Sequence, residues 1–159
     1  MQIIDDKALL LKLRNPKRVT ETVAKSTEVS NNEVLVNWGI DEMHTLKRLN
    51  INVPSPIQSQ YTWTGKYAPF DHQKKTSAFF TMNRKCFNEQ GTGKTASAIW
   101  AADFLLNQGK INRVLVICPL SIMDSAWCED LFTFAPHRSV DIAHGASKKR
   151  KAIIEQGAE

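Results

Sequence analysis

The ten residues Cys86–Thr95, CFNEQGTGKT, constrain this chain more than any other stretch. Cys86 and Phe87 read as the end of a short strand. KTASAIWAADFLLNQG reads as a helix that buries Ile99, Ala102 and Leu106 and stops at Gly109. A Gly-x-Gly-Lys-Thr turn between a strand and a helix has a definite physical use. Gly91 and Gly93 let backbone N–H groups turn inward, the helix N-terminus adds positive potential, and Lys94 neutralises terminal phosphates. Thr95 would place its hydroxyl on a magnesium ion. From average composition such a pattern arises by chance in a chain of this length with a frequency of about a few in a thousand. The plain alternative, a strand–turn–helix with an incidental lysine, is therefore the weaker reading.

The flanking pattern predicts what the loop sits in. DHQKKTSAFFTMN reads as a helix capped by Asp71, and RVLVICP as a strand buried on both faces. Ser121 and Asp124 make a capping-box-like start to a helix running through Ala126, Trp127 and Leu131. SVDIAHG is a third strand candidate and SKKRKAIIEQG a third helix. Strand and helix alternating in this order predict an α/β, doubly wound fold with a parallel sheet. Three sections follow: a mixed α+β region over 1–53, a Pro- and aromatic-rich linker over 54–68, and the α/β section over 69–159. In the first, KALLLKL reads as a short helix or a strand, and NEVLVNWG alternates Val34, Val36 and Trp38 as a half-buried strand does. Asp41 offers an N-cap to a helix carrying Met43, Leu46 and Leu49 that stops near Asn50. The prolines of the linker favour extended backbone, and Tyr61, Trp63, Tyr67 and Phe70 read as rings that dock it, or that stack on a base.

Composition narrows the partners. A hydrophobic fraction of 42% with 23% charged residues suits a globular protein and not a disordered one. The longest apolar run, Val114 to Cys118, is far short of a membrane span, and the N-terminus has no targeting pattern. Three cysteines without a C-x-x-C pair suit a reducing, intracellular compartment, cytoplasmic or nuclear. The four histidines share no ligand spacing with them, so no metal is expected to be held by side chains alone. The net charge of +5 is concentrated in Lys12, Arg14, Lys17 and Arg18 and in Lys148 to Lys151. Nucleic acid is a natural partner for such clusters, and a solvated helix face is the bland one.

Asn88 breaks the longer phosphate-loop pattern, which has glycine there, but the shorter x-x-x-Gly-x-Gly-Lys-Thr form is intact. NEQGTGKT in that form resembles motif I of superfamily 2 helicases and translocases, in the register of the Swi/Snf-like branch. PFDHQ, Pro69 to Gln73, resembles the short element that precedes motif I there. VLVICPLSIMDSAWCEDL resembles motif Ia with a Trp127–Glu129/Asp130 tail, and HGASKKRK the following block. The likeness runs in order from Pro69 to Lys151. VNWGIDEMHTLKRLNINVPSPI is also similar, more weakly, to the N-terminal region of compact, virus-encoded members.

The resemblance implies a partial RecA-like P-loop domain that binds ATP and Mg2+ and couples hydrolysis to movement on DNA. By it, Lys94 is the candidate catalytic residue. Gln73, Glu89, Gln90, Gly91, Thr92, Gly93, Lys94, Thr95 and Ala96 hold the nucleotide, with Gln73 reading the adenine edge and Thr95 holding the metal. Pro119, Leu120, Ser121, His144 and Gly145 face the DNA backbone. Each has a plainer alternative: Gln73 on a helix surface, Pro119–Ser121 as a turn, Trp127 in a core. A D-E-x-x box is missing: no Asp-Glu pair follows the loop, and Glu129-Asp130 falls within an expected helix. The expectation is that the remaining helicase half belongs to the same protein or another chain. The competing expectation is a non-catalytic module that keeps the loop as a relic and binds DNA or a helicase.

Overall fold

Asp5 and Asp6 set the first turn of the chain. Both have positive φ, 48° and 53°, and Lys7 N–H closes the turn on the Ile4 carbonyl at 3.0 Å. Two left-handed central residues make the type of turn whose twist suits a hairpin, and aspartate tolerates that region. The hairpin joins β1 (Gln2–Ile4) to β2 (Ala8–Lys12). β3 (Ser26–Ser30) and β4 (Glu33–Asn37) complete a four-stranded antiparallel sheet of order β1-β2-β4-β3. Across β2 and β4 the register pairs Leu9 with Val36 and Leu11 with Val34. All four are buried, so one face of the sheet is apolar, as the period-two pattern requires.

The computed structural model describes residues 1–82 and 85–158 and divides into two units. The first comprises Met1–Tyr61 with the end of the fourth helix. Its sheet is joined by α1 (Lys17–Thr20), α2 (Ile40–Arg48) and α3 (Ile57–Gln60). Ile40, Met43, Leu46 and Ile57 are buried, and Trp38 Nε1–H donates to the Pro54 carbonyl at 2.9 Å. Burying each such apolar side chain is worth about 1.5–3 kcal/mol. α2 stops at Asn50, whose φ is 62°. Ile51 N–H bonds the Leu46 carbonyl and Asn50 N–H that of Lys47, the paired bonds of a Schellman stop. KALLLKL resolves as a strand. The linker contains one helical turn, started by Pro56, whose φ of −62° suits a helix entry.

The second unit comprises Thr62–Phe80 and the residues from Lys85 onward. It is helical: α4 (Asp71–Met82, its last residues counted with the first unit), α5 (Lys94–Asn107), α6 (Glu129–Phe134) and α7 (Ser147–Gln156). Trp100 of α5 forms its centre. Trp63 meets it edge-on at 5.7 Å and Phe134 at 5.0 Å, while its Nε1–H donates to the Thr64 carbonyl. Gly65, at φ 102°, lies against the backbone of Thr133 and Phe134, an approach no side chain would permit. Trp63 thus docks the linker onto helices, whereas Tyr67 and Phe70 are exposed. α5 ends as expected at Gly109. Its buried face is rotated from the expected one: Ile99, Trp100, Ala101 and Phe104 are buried, and Ala102 and Leu106 only partly so.

The parallel RecA-like sheet is a correction. The only sheet among the described residues is the antiparallel one of the first unit. The expected strands at Cys86–Phe87, Arg113–Pro119 and Ser139–Gly145 carry no ladder. Phe87, Leu115 and Ile117 are 91%, 74% and 90% exposed, the reverse of a strand buried on both faces. The physical reason lies in what an apolar run encodes. It records a demand for burial, but a parallel strand exists only where a neighbour at long sequence separation completes its hydrogen bonds. The helix expected after Ser121 also differs. It begins as a 3-10 turn over Leu120–Ile122, widens into a π turn over Met123–Cys128 and becomes α-helical only at Glu129, with no side-chain cap at any of the three starts.

Candidate functional site

The candidate loop runs from Asn88 into the first turn of α5. Gly93 occupies the N-cap position with φ 68° and ψ 38°, and Gly91 has φ 73°. A glycine cap brings no side-chain acceptor, in contrast to the Ser, Thr, Asp or Asn that usually closes this position. The first helix-closing bond is Ser97 N–H to the Gly93 carbonyl at 3.0 Å. The N–H groups of Lys94, Thr95 and Ala96 therefore have no acceptor within the helix. They stand at the positive end of a 14-residue helix. The left-handed glycines, open donors and helix dipole together form an anion cradle.

Lys94 folds back onto the preceding loop. Its Nζ donates to the Glu89 carbonyl at 2.6 Å and to the Asn88 carbonyl at 3.1 Å. Thr92 Oγ1–H braces the same turn by donating to the Glu89 carbonyl at 2.9 Å. An ammonium has three donors, so one remains for a phosphate oxygen. Thr95 is half-buried and Ala96 buried, so Ala96 can offer only its N–H, while the side chains of Glu89 and Gln90 are exposed. Among the described residues the Thr95 hydroxyl makes no hydrogen bond within the chain. No group of three or more His, Cys, Asp or Glu is placed to hold a metal among the described residues. The residues present fit a magnesium ion held by one hydroxyl, with phosphate oxygens and water as its other ligands.

α4 supplies the wall of the loop. Gln73 Oε1 accepts the Phe70 N–H at 2.9 Å and so caps the start of α4, the role expected of Asp71. Asp71 instead opens the helix as its first residue and pairs loosely with Lys74 at 4.0 Å. The Gln73 amide nitrogen lies directly against Gly93, where any β-carbon would collide with it. Gly93 is thus required for its backbone angle, while a β-carbon there would displace only the end of the Gln73 side chain. Ser77 Oγ–H, buried, lies 3.0 Å from both the Gln73 and the Ser97 carbonyls, joining α4 to α5. Gln73 and residues 88–96 are thus brought together, as their assignment to one site requires.

The candidate DNA-facing residues form a looser set. Pro119 precedes the 3-10 turn, Leu120 and Ser121 lie within it, and all three are exposed. His144 and Gly145 are exposed before α7, with Gly145 at φ 104°. Among the described residues no hydrogen bond or ion pair joins the two groups. Lys148 to Lys151 lie exposed on α7, a helix with no buried residue. Trp127 is half-buried, and Asp130 beside it has its carboxyl pushed above the usual range, first by burial and then by the charge of Glu129. The Cys128 thiol is likewise pushed up by burial, then by Asp124 and Cys118.

One cluster escaped sequence reasoning. Asp103, buried in α5, accepts from Arg138 Nε at 2.6 Å and meets His137 Nε2 at 2.8 Å. Its signal was a lone carboxylate inside an otherwise apolar helix face, between Ala101 and Phe104, which calls for a partner. It fixes the chain after α6 to α5 on the helix that carries the loop. No family model matches the sequence, and neither a curated protein nor a solved structure matches this chain.

Proposed function

We propose that the loop Asn88–Ala96 binds the phosphates of ATP with Mg2+, and that the chain is the ATP-binding part of a DNA-dependent ATPase of the Swi/Snf-like helicase kind. The observation that carries this reading is the geometry at the start of α5. Gly91 and Gly93 are left-handed, the first-turn N–H groups are open, and the Lys94 ammonium is anchored on the Asn88 and Glu89 carbonyls with a donor to spare. In this reading Lys94 balances the charge that develops on the terminal phosphates, Thr95 orients the ion, and Gln73 lines the approach to the base. The ion supplies charge neutralisation across the terminal phosphates. The carboxylates that activate water would come from the remaining half of the enzyme, in the same or another chain. DNA would meet the turn at Pro119–Ser121 and the His144–Gly145 segment. The test is Mg-ATP binding by the chain, lost on Lys94→Ala, and DNA-stimulated ATP hydrolysis in the presence of the remaining half, abolished by the same substitution. Hydrolysis indifferent to that substitution, with DNA present, overturns the reading.

A second reading is favoured by α7, which exposes Lys148 to Lys151 and buries nothing. Here the chain is a non-catalytic module that docks this basic face on DNA. Its affinity should fall steeply as salt rises, because bound phosphates release counterions. Binding insensitive to salt contradicts it.

A further inference from the structure

Asn88 occupies the place where the longer phosphate-loop pattern has glycine, and its side chain ties the loop to α4. Its Nδ2–H donates to Thr76 Oγ1 at 3.0 Å, while its own carbonyl accepts from Lys94 Nζ at 3.1 Å. Thr76 is itself held: its side chain is nearly buried and its Oγ1–H donates to the His72 carbonyl at 2.8 Å. That hydroxyl therefore meets Asn88 as an acceptor with a fixed direction. α4 is in turn bonded to α5 through Ser77 and the Ser97 carbonyl. The line Thr76–Asn88–Lys94 thus refers the free end of a flexible lysine back to the helix pair that carries its backbone.

Building on the nucleotide reading above, we propose that Asn88 and Thr76 are positioning residues for Lys94. The side chain of Asn88 fixes the height of its own carbonyl, and that carbonyl with Glu89's occupies two of the three ammonium donors. The third is left for a ligand. A lysine pays rotamer entropy to reach any one position, so an anchor made before the ligand arrives removes that cost from binding. Glycine at position 88 would keep the carbonyl and lose the tether. The residue that breaks the consensus supplies, by another route, the rigidity that the loop needs.

The experiment is a calorimetric titration of Mg-ATP into the full chain and into Asn88→Gly, Thr76→Val, Thr76→Ser and the Asn88→Gly/Thr76→Val double variant. One neutral hydrogen bond corresponds to about a fivefold change in affinity. Asn88→Gly and Thr76→Val should each weaken binding by about that factor, and Thr76→Ser, which keeps the hydroxyl, should restore it. The double variant should be no weaker than either single one, because both remove the same link. Independent, multiplying losses, or an unchanged affinity in Asn88→Gly, overturn the proposal. Should Thr76→Val fail to fold, Asn88→Gly at its exposed position decides alone. A wild-type chain that does not bind Mg-ATP overturns the nucleotide reading and this proposal together. A wild-type chain that binds with Asn88→Gly as its equal overturns only the positioning role.

Discussion

The sheet of the first unit and the extended run Arg113–Pro119 of the second are built from the same kinds of residue and end in opposite states. In the sheet, Leu9, Leu11, Val34 and Val36 are 3% exposed or less, and every strand has a neighbour. In the run, Leu115 and Ile117 stand mostly in solvent, and among the described residues no strand pairs with them. The difference lies partly in the reach of the contacts. β1 and β2 are joined by a three-residue turn, and β3 and β4 by two residues, so each hairpin closes at little cost in chain entropy, and the sheet needs only one longer-range pairing, β2 with β4. A parallel strand has no such local partner. Identical apolar chemistry is therefore a core in one place and an open surface in the other.

Paired truncations separate the two regions most clearly. Leu9→Ala should cost about 2–5 kcal/mol of stability, as a buried leucine lost from a packed core does. Ile117→Ala should shift stability by about 0.5 kcal/mol or less. Chemical denaturation of both variants measures this, and comparable losses would show that the run is packed in solution. Next in size is Asp103→Ala, which takes the carboxylate from Arg138, whose Nη2 still donates to Asn107 Oδ1, and should cost about 1.5–3 kcal/mol. The same denaturation experiment reads it, and a neutral outcome would remove Asp103 as the fastener of α5. Smallest is Asp130→Asn. Burial and Glu129 raise the Asp130 pKa on folding, so the folded state holds its proton longer than the unfolded one. Stability should then fall as pH rises from the ordinary carboxylate range through the raised folded value. Asp130→Asn should be slightly more stable than wild type at neutral pH, and equal to it at pH values below that range. Melting temperatures at the two pH values check the sign.

Much of the local structure was legible. The alternation through Val34, Val36 and Trp38 gave β4, and Asn50 and Gly109 marked helix ends because each accepts a left-handed angle. The loop was legible for the same reason: Gly91 and Gly93 are needed where the backbone turns. The order of apolar runs was a poorer guide, because it suggests which segments want burial without saying who buries them. The tether from Asn88 to Thr76 and the Asp103 cluster were out of reach. Each joins residues separated by at least twelve positions through one side-chain atom, and no periodicity reports that.

Amide NMR on the full chain shows whether the start of α5 takes up the phosphates of a nucleotide. Adding Mg-ATP should move the backbone N–H resonances of Gly91, Gly93, Lys94, Thr95 and Ala96, with Leu9 and Val36 in the sheet unmoved, and Lys94→Ala should abolish the response. Resonances that stay still at the loop, or shifts that survive Lys94→Ala unchanged, would show that the start of α5 is not a phosphate site.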